Sequence, residues 1–337
     1  MTDTYRRLTA AEAASRLRGE TDTLILLHRH PDGDAVGSAF ALRMLMEGMG
    51  CRTLCACADE IPDRLGFLVK AVQGSVLQAN LPADFAPRQV IAVDTASPAQ
   101  LGNLFETYRD RVDLMIDHHG KGEMYADGWI SPESAATGEM ILSLGEILVA
   151  EGRIPAISVE ASRLLYVAIS SDTGCFRYSN VTPATLRAAA TLLEAGFDAA
   201  ELNHRLFEVK SAKLMCAERL GMERLRLHLD GRVAVVDMPY AIKAQYELAD
   251  EHMETLVDIA RSVEGVEVAV AIRQSGEIPV FRVSMRSAGD VDVSEICATF
   301  GGGGHKKAAG CTVTCAEGED ISAAITRVVD AVRAVLG

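Results

Sequence analysis

Nothing in this 337-residue sequence is apolar for long enough to cross a bilayer; no run approaches the roughly 18–20 residues that such a span needs. The N-terminal stretch MTDTYRRLTAAEAASRLRGETD mixes charged and small residues and lacks the continuous apolar segment of a secretory signal, so a cytoplasmic protein is expected. Positive charge is also scarce. Against 47 Asp and Glu stand 33 Lys and Arg, a formal net charge of −14. Long duplex nucleic acid, which is bound through many Lys and Arg contacts to phosphate, is therefore not an expected partner, and neither is a membrane. A small anionic ligand stays open, because a bound cation and a few local arginines can hold phosphate within an acidic protein. Eight cysteines are present, but no pair has zinc-site spacing with matching ligands behind it. Only Cys51, Cys55 and Cys57 cluster, in CRTLCAC, which alternates like a half-buried strand; reduced, mostly buried thiols are expected. Aromatics are few, yet about half the residues are hydrophobic (49%), enough for a sizeable core, and the length allows two domains.

The first half alternates short apolar runs with helical stretches. TLILLH (23–28), CRTLCAC (51–57), RQVIAVD (88–94) and VDLMID (112–117) have strand length; 34–49, 134–150 and 156–171 have helical composition. Continuous apolar strands separated by helices predict an α/β fold, a mostly parallel sheet covered on both faces. From 182 to 228 helix follows helix, which suggests a linker. Beyond 230 come GRVAVVDMP, helical signals over 240–263, the runs VEVAVAIRQ and IPVFRVSMRS joined by the turn SGE, a helix at 292–299, FGGGGHKKAAGC and a terminal helix. The expected division is a catalytic domain at 1–185, a helical linker at 186–229 and a smaller α+β domain at 230–337.

Ligands of parallel sheets bind outside the carboxyl ends of the strands. Polar residues recur there: His28 after LILL, Asp94 after VIAV, and Asp117, His118 and His119 after LMI. HRHPDGDAVGS adds Asp32 and Asp34, although PDGD is also ordinary turn sequence and Asp34 could simply cap a helix. Asp94 could merely end its strand, and Asp172 in AISSDTGCFRYSN could sit in a helix-terminal turn. Taken together, His28, Asp32, Asp34, Asp94, His118 and Asp172 are enough oxygen and nitrogen donors for two divalent ions sharing one carboxylate. Such ligands suit Mn²⁺ or Mg²⁺ better than structural zinc, and Asp94, on a middle strand, is the natural bridge.

These motifs, in this order, resemble those of the DHH phosphoesterase superfamily: HRHPDGD (28–34), VIAVD (90–94), DHHG (117–120) and SSDTGCFRYSN (170–180), with RVSMRS (282–287) and FGGGGHKKAAG (300–310) similar to the C-terminal DHH-associated domain. The likeness spans about residues 21–315, and the compact two-domain chain looks most like the nano-RNase/pAp-phosphatase subgroup. The resemblance implies a hydrolase of very short oligoribonucleotides and of 3′-phosphoadenosine 5′-phosphate (pAp), using two divalent ions, Mn²⁺ first and Mg²⁺ or Co²⁺ as alternatives. It implies His28, Asp32 and Asp94 at one ion and Asp34, His118, Asp172 and again Asp94 at the other. Asp117 would orient the histidines and His119 would face the substrate phosphate; His30 stays outside the ligand set. Arg286, Ser287, Gly302, Gly303, Gly304 and His305 would contact substrate, with Arg177 a further candidate. A cyclic di-AMP or pApA phosphodiesterase is the rival within the same chemistry, and an inert nucleotide-binding module is the rival outside it. A homodimer is left open.

Overall fold

A computed structural model describes residues 5–77 and 81–337, which fall into two compact units, Met1–Val209 and Lys210–Gly337. The first unit is built on six strands, β1 (Asp22–Leu26), β2 (Arg52–Ala56), β3 (Val76–Leu77), β4 (Gln89–Val93), β5 (Leu114–Asp117) and β6 (Gly128–Ile130). Its helices are α1 (Ala10–Arg16), α2 (Gly33–Gly48), α3 (Gly66–Ala71), α4 (Asn103–Tyr108), α5 (Thr137–Ala150), α6 (Val159–Asp172), α7 (Pro183–Leu193) and α8 (Ala199–Asn203). Every strand pair is parallel, and the order is β3-β2-β1-β4-β5-β6. The expected parallel α/β sheet is therefore present. Strands β3 and β6 were not expected; with two and three residues they are too short to leave a pattern.

Alternate side chains along a strand face opposite ways, and both faces here are covered. Ile25, Ile91, Val93, Leu114 and Ile116 pack with residues of α2, α5 and α6, among them Phe40, Ile141, Leu144, Leu164 and Val167. Leu24, Leu26, Val90, Ala92 and Met115 pack with Leu104 and Tyr108 of α4 on the other side. Each buried Val, Leu, Ile, Phe or Met among them contributes about 1.5–3 kcal/mol of transfer free energy, which is why these strands read as unbroken apolar runs. Helix α2 lies very close to α6. A Cβ on Gly37 would sit 2.5 Å from the Leu164 carbonyl oxygen, and one on Gly33 would meet Ser171 Oγ at 1.9 Å. Glycine at both positions brings the first turn of α2, with Asp34, against the last turn of α6, with Asp172.

The second unit is a six-stranded mixed sheet, order β11-β12-β10-β9-β8-β7, in which only β8 and β9 run parallel. Its strands are β7 (Arg226–His228), β8 (Val233–Met238), β9 (Val268–Gln274), β10 (Val280–Ser287), β11 (Gly303–His305) and β12 (Ala308–Thr314). Helices α9 (Ala212–Glu223), α10 (Tyr240–Gln245) and α11 (Leu256–Arg261) precede β9, and α12 (Val293–Ala298) and α13 (Ile321–Leu336) follow β10. One face packs on residues of α12 and α13 and the other on residues of α9 and α11, giving the smaller α+β unit that was expected. Within the stretch 186–229, Ala189, Leu192 and Leu202 are buried in the first unit's core, whereas Ala217 and Leu220 are buried in the second's. All eight cysteines are free, six of them buried. Among the described residues, no helix is long and apolar enough to cross a membrane.

Candidate metal centre

The strand order changes direction between β1 and β4, and His28 and Asp94 lie just beyond the carboxyl ends of those two neighbours. Open α/β sheets present ligands at this switch point. Beyond β1 the chain runs through His28 to Asp32, which caps α2 by accepting the N–H groups of Asp34 and Ala35, both at 3.0 Å. Asp32 is thus the cap that Asp34 might have been. Asp34 is instead fully buried inside the first turn, where Oδ1 accepts the Ser38 hydroxyl at 2.8 Å. Asp94 is 2% exposed and left-handed (φ 56°), a conformation that costs a non-glycine residue about 1–3 kcal/mol and recurs at functional sites.

Two histidines share one arrangement. His28 Nδ1 lies 2.8 Å from the Arg29 carbonyl oxygen, and His118 Nδ1 lies 3.3 Å from that of Ser134. A carbonyl only accepts, so each Nδ1 is the protonated donor and each Nε2 carries the lone pair when the ring is neutral. His28 Nε2 then faces Asp94 Oδ2 at 3.4 Å and Asp32 Oδ1 at 3.7 Å. His118 Nε2 faces Asp172 Oδ2 at 3.1 Å, Asp94 Oδ1 at 3.6 Å and Asp34 Oδ2 at 3.8 Å, yet it is buried and makes no hydrogen bond. A lone pair surrounded by carboxylate oxygens is repulsive unless positive charge lies among them.

The titration behaviour says the same. Burial opposes charge on His118, but Asp172, Asp94 and Asp34 outweigh it and push the imidazole up to about 11. Burial likewise works against His28, and Asp32 and Asp94 still raise it well above the ordinary histidine range. Burial, then Asp94 and Asp172, drive the Asp34 carboxyl upward, and burial first of all raises Asp172 to about 6. Asp94 moves the other way: burial opposes its ionisation, but His28, then His118 and His119, hold it far below the carboxylate range. Without cations the cluster gathers protons; the donor set fits divalent metal. His28, Asp32 and Asp94 offer ligand atoms mutually within 4.8 Å, as do Asp34, His118 and Asp172, and Asp94, His118 and His119.

The adjacent histidines differ. His119 gives its Nδ1–H to Asp117 Oδ1 at 2.7 Å, and Asp117 is itself buried. Burial opposes protonation of His119, but the Asp117 and Asp94 carboxylates raise it. His30 is turned away to Asp59, which takes both its backbone N–H at 2.9 Å and a ring contact at 3.0 Å.

Several residues around the cluster were not foreseen. Thr137 N–H and Gly138 N–H, the first two of α5, donate to Asp34 Oδ2 and Oδ1 at 2.7 and 3.0 Å, and Thr137 Oγ1 donates to Asp94 Oδ1 at 3.0 Å. Asn180 donates to the carbonyls of both Ala135 and Asp172 at 3.1 Å. In the sequence, SAATGE reads only as the start of a helix; its partners lie some 40 to 100 residues away.

The candidate substrate residues are more dispersed. Arg177 is exposed and donates from Nε to the Gly174 carbonyl at 2.6 Å. In the second unit, Arg286 is at the end of β10, and Ser287 is buried, its hydroxyl donating to the Gly289 carbonyl at 3.3 Å. The glycine run, expected to contact substrate, partly forms the edge strand β11: Gly303, Gly304 and His305 pair with Gly310, Ala309 and Ala308. Ala308 also pairs with Arg286, so positions 286, 308 and 305 form one row across three strands. The side chain of His305 lies outside the described residues. Gly302 and Gly304 have a packing reason: added Cβ atoms would lie 2.2 Å from the Gly310 carbonyl oxygen and 2.6 Å from that of Ala308, whereas Gly303 faces open space.

The profile of the DHH family, N-terminal domain, matches residues 22–169, and that of the DHHA1 domain matches residues 232–334. The bifunctional oligoribonuclease and PAP phosphatase NrnA of Thermus thermophilus is 33% identical over 312 residues, 92% of this chain and 88% of that one. The cyclic-di-AMP phosphodiesterase GdpP of Geobacillus thermodenitrificans is 26% identical over 88% of this chain but only 45% of its own length. Among solved structures, an exopolyphosphatase-related protein from Bacteroides fragilis superposes with a TM-score of 0.83 over 95% of both chains at 19% identity, a likeness of fold.

Proposed function

Since the chain belongs to the DHH family, we propose that it is a two-metal phosphoesterase hydrolysing very short oligoribonucleotides and pAp in the cytoplasm. One observation carries the chemistry: at the sheet's switch point, His118 Nε2 is buried without a hydrogen bond among three carboxylates. The substrate class rests on the similarity to an oligoribonuclease and PAP phosphatase along nearly the whole chain, and a net charge of −14 suits short substrates over long strands.

His28, Asp32 and Asp94 would hold one ion, and Asp34, His118 and Asp172 the other, with Asp94 shared. The oxygen-rich donor set with imidazole suits Mn²⁺, with Mg²⁺ and Co²⁺ as alternatives. Divalent ions held there supply Lewis-acid stabilisation of phosphoryl oxygens and a nucleophile at neutral pH. Asp117 fixes His119 through Nδ1 and favours its protonated form, which suits His119 to stabilising the phosphate or giving a proton to the departing ribose oxygen. Arg177, Arg286, Ser287, Gly302, Gly303, Gly304 and His305 are assigned to the substrate.

Rates on pAp, a diribonucleotide, pApA, cyclic di-AMP and a long single-stranded RNA, each with Mn²⁺, Mg²⁺ and Co²⁺, test the assignment. Fast turnover of pAp and dinucleotides with little of the long RNA is expected. Preference for cyclic di-AMP would favour the second reading, which the similarity to GdpP supports. No hydrolysis with any metal would sink both.

A further inference from the structure

Four of the five residues Ser134–Gly138 brace the cluster, three directly and Ala135 through Asn180. The Ser134 carbonyl accepts from His118 Nδ1, the Ala135 carbonyl accepts from the Asn180 amide that also grips the Asp172 carbonyl, and the N–H groups of Thr137 and Gly138 occupy both oxygens of Asp34. Thr137 alone holds two carboxylates, because its hydroxyl also donates to Asp94 Oδ1. Its placement is specific. Asp94 Oδ2 faces His28 and Oδ1 faces His118, so rotation of this carboxylate decides whether it serves both halves of the cluster. The hydroxyl on Oδ1 opposes that rotation. It takes one lone pair of that oxygen and leaves another, and Thr137 is fully buried.

We propose that Thr137 is a positioning residue that fixes the Asp94 carboxylate across both halves of the centre and thereby permits two divalent ions to be held together. This rests on the metal-centre reading above and goes beyond it, because Thr137 is not one of the assigned ligands. The threonine acts through an oriented hydrogen bond, so it differs from a residue that merely fills space: serine should replace it and isosteric valine should not.

The test is Mn²⁺ binding to the full chain without substrate, by calorimetric titration and by the electron spin resonance signal of coupled neighbouring ions, for wild type, Thr137→Val and Thr137→Ser. Two ions per wild-type chain are expected. Thr137→Val should lose the coupled signal and weaken Mn²⁺ binding by about 10–100-fold, the usual effect of removing a group that orients a ligand. Thr137→Ser should restore both towards wild type. Far-UV circular dichroism and the melting temperature with chelator report folding; should the valine chain not fold, Thr137→Ala is read in the same way. Wild-type affinity and coupling in the valine or alanine chain would overturn the proposal, as would a serine chain as weak as the valine chain. A wild-type chain that binds no divalent ion would instead overturn the metal centre itself.

Discussion

The carboxyl edge of the parallel sheet and the glycine run of the second unit are the two regions whose sequences stand out, and packing accounts for them unequally. Gly302 and Gly304 are explained by backbone that approaches too closely for any side chain. The buried groups beyond β1, β4 and β5 are not explained that way. Asp34 and Asp94 are buried, and His118 Nε2 lies among three carboxylates without a hydrogen-bond partner. Burying charge costs stability unless it is paired, so the first region needs a ligand to account for its composition. In the second, Gly301 is left-handed (φ 73°), and only Gly303 has neither a close neighbour nor a left-handed backbone to account for it.

The largest expected effect breaks the first region at its centre. Asp94→Ala removes the carboxylate common to both halves and should lower turnover by more than the about 100-fold seen when only a supporting group is lost. Unchanged hydrolysis and metal dependence would refute the shared-carboxylate assignment. The two histidines divide the next effect. His118→Ala should weaken Mn²⁺ binding measured without substrate. His119→Ala should keep the metal and lower kcat by about 10²–10⁴-fold, the range of a lost general acid. Equal loss of metal in both variants would show that His119 is a ligand, as its membership of a group with Asp94 and His118 also permits.

How far the sequence led follows from where each signal lies along the chain. Strands β1, β4 and β5 are buried on both faces, so they read as apolar runs, and the polar residue that ends each run marked the sheet edge. The metal candidates could be gathered because each follows such a run or lies in a family motif. Thr137 could not, since its role exists only through hydrogen bonds to residues distant in the chain; Asn180 lies inside the motif SSDTGCFRYSN, but its bracing of Ala135 appears only in the fold. Helical periodicity over 182–228 showed helices but not their allegiance: Leu192 and Leu220 are equally apolar, yet they are buried in different units. The glycine run carried no strand pattern because it has no side chains to alternate.

Proton linkage offers a third contrast, since the charge stored in the first region depends on pH. His118 moves from 6.5 to about 11 on folding, so its contribution is complete below about 6.5 and is lost as pH rises towards 11. His28 carries the same sign. Asp172, raised from 3.8 to about 6, likewise favours the folded chain only while it holds its proton. In chelator, the melting temperature should therefore fall as pH rises above neutrality, by about 2–4 °C for each kcal/mol lost. Saturating Mn²⁺ should suppress that fall, with protons released on binding. Melting curves across pH with and without chelator check this; a flat metal-free profile would contradict it.

The smallest effect decides what the glycine run is for. Gly302→Ala and Gly304→Ala should each destabilise by about 1–3 kcal/mol, because a methyl group at either presses on the backbone of β12 and Gly304 is also left-handed (φ 140°). Any loss of activity in those chains reports folding as much as binding. Gly303→Ala separates the two, since its Cβ would meet nothing within 4 Å and its φ is not left-handed. Its melting temperature should stay within the range of a neutral surface change, about ±0.5 kcal/mol. If a substrate backbone approaches this glycine, KM for pAp should rise while kcat and Mn²⁺ affinity hold. If KM does not move, no substrate backbone approaches Gly303, and its assignment to the substrate is refuted.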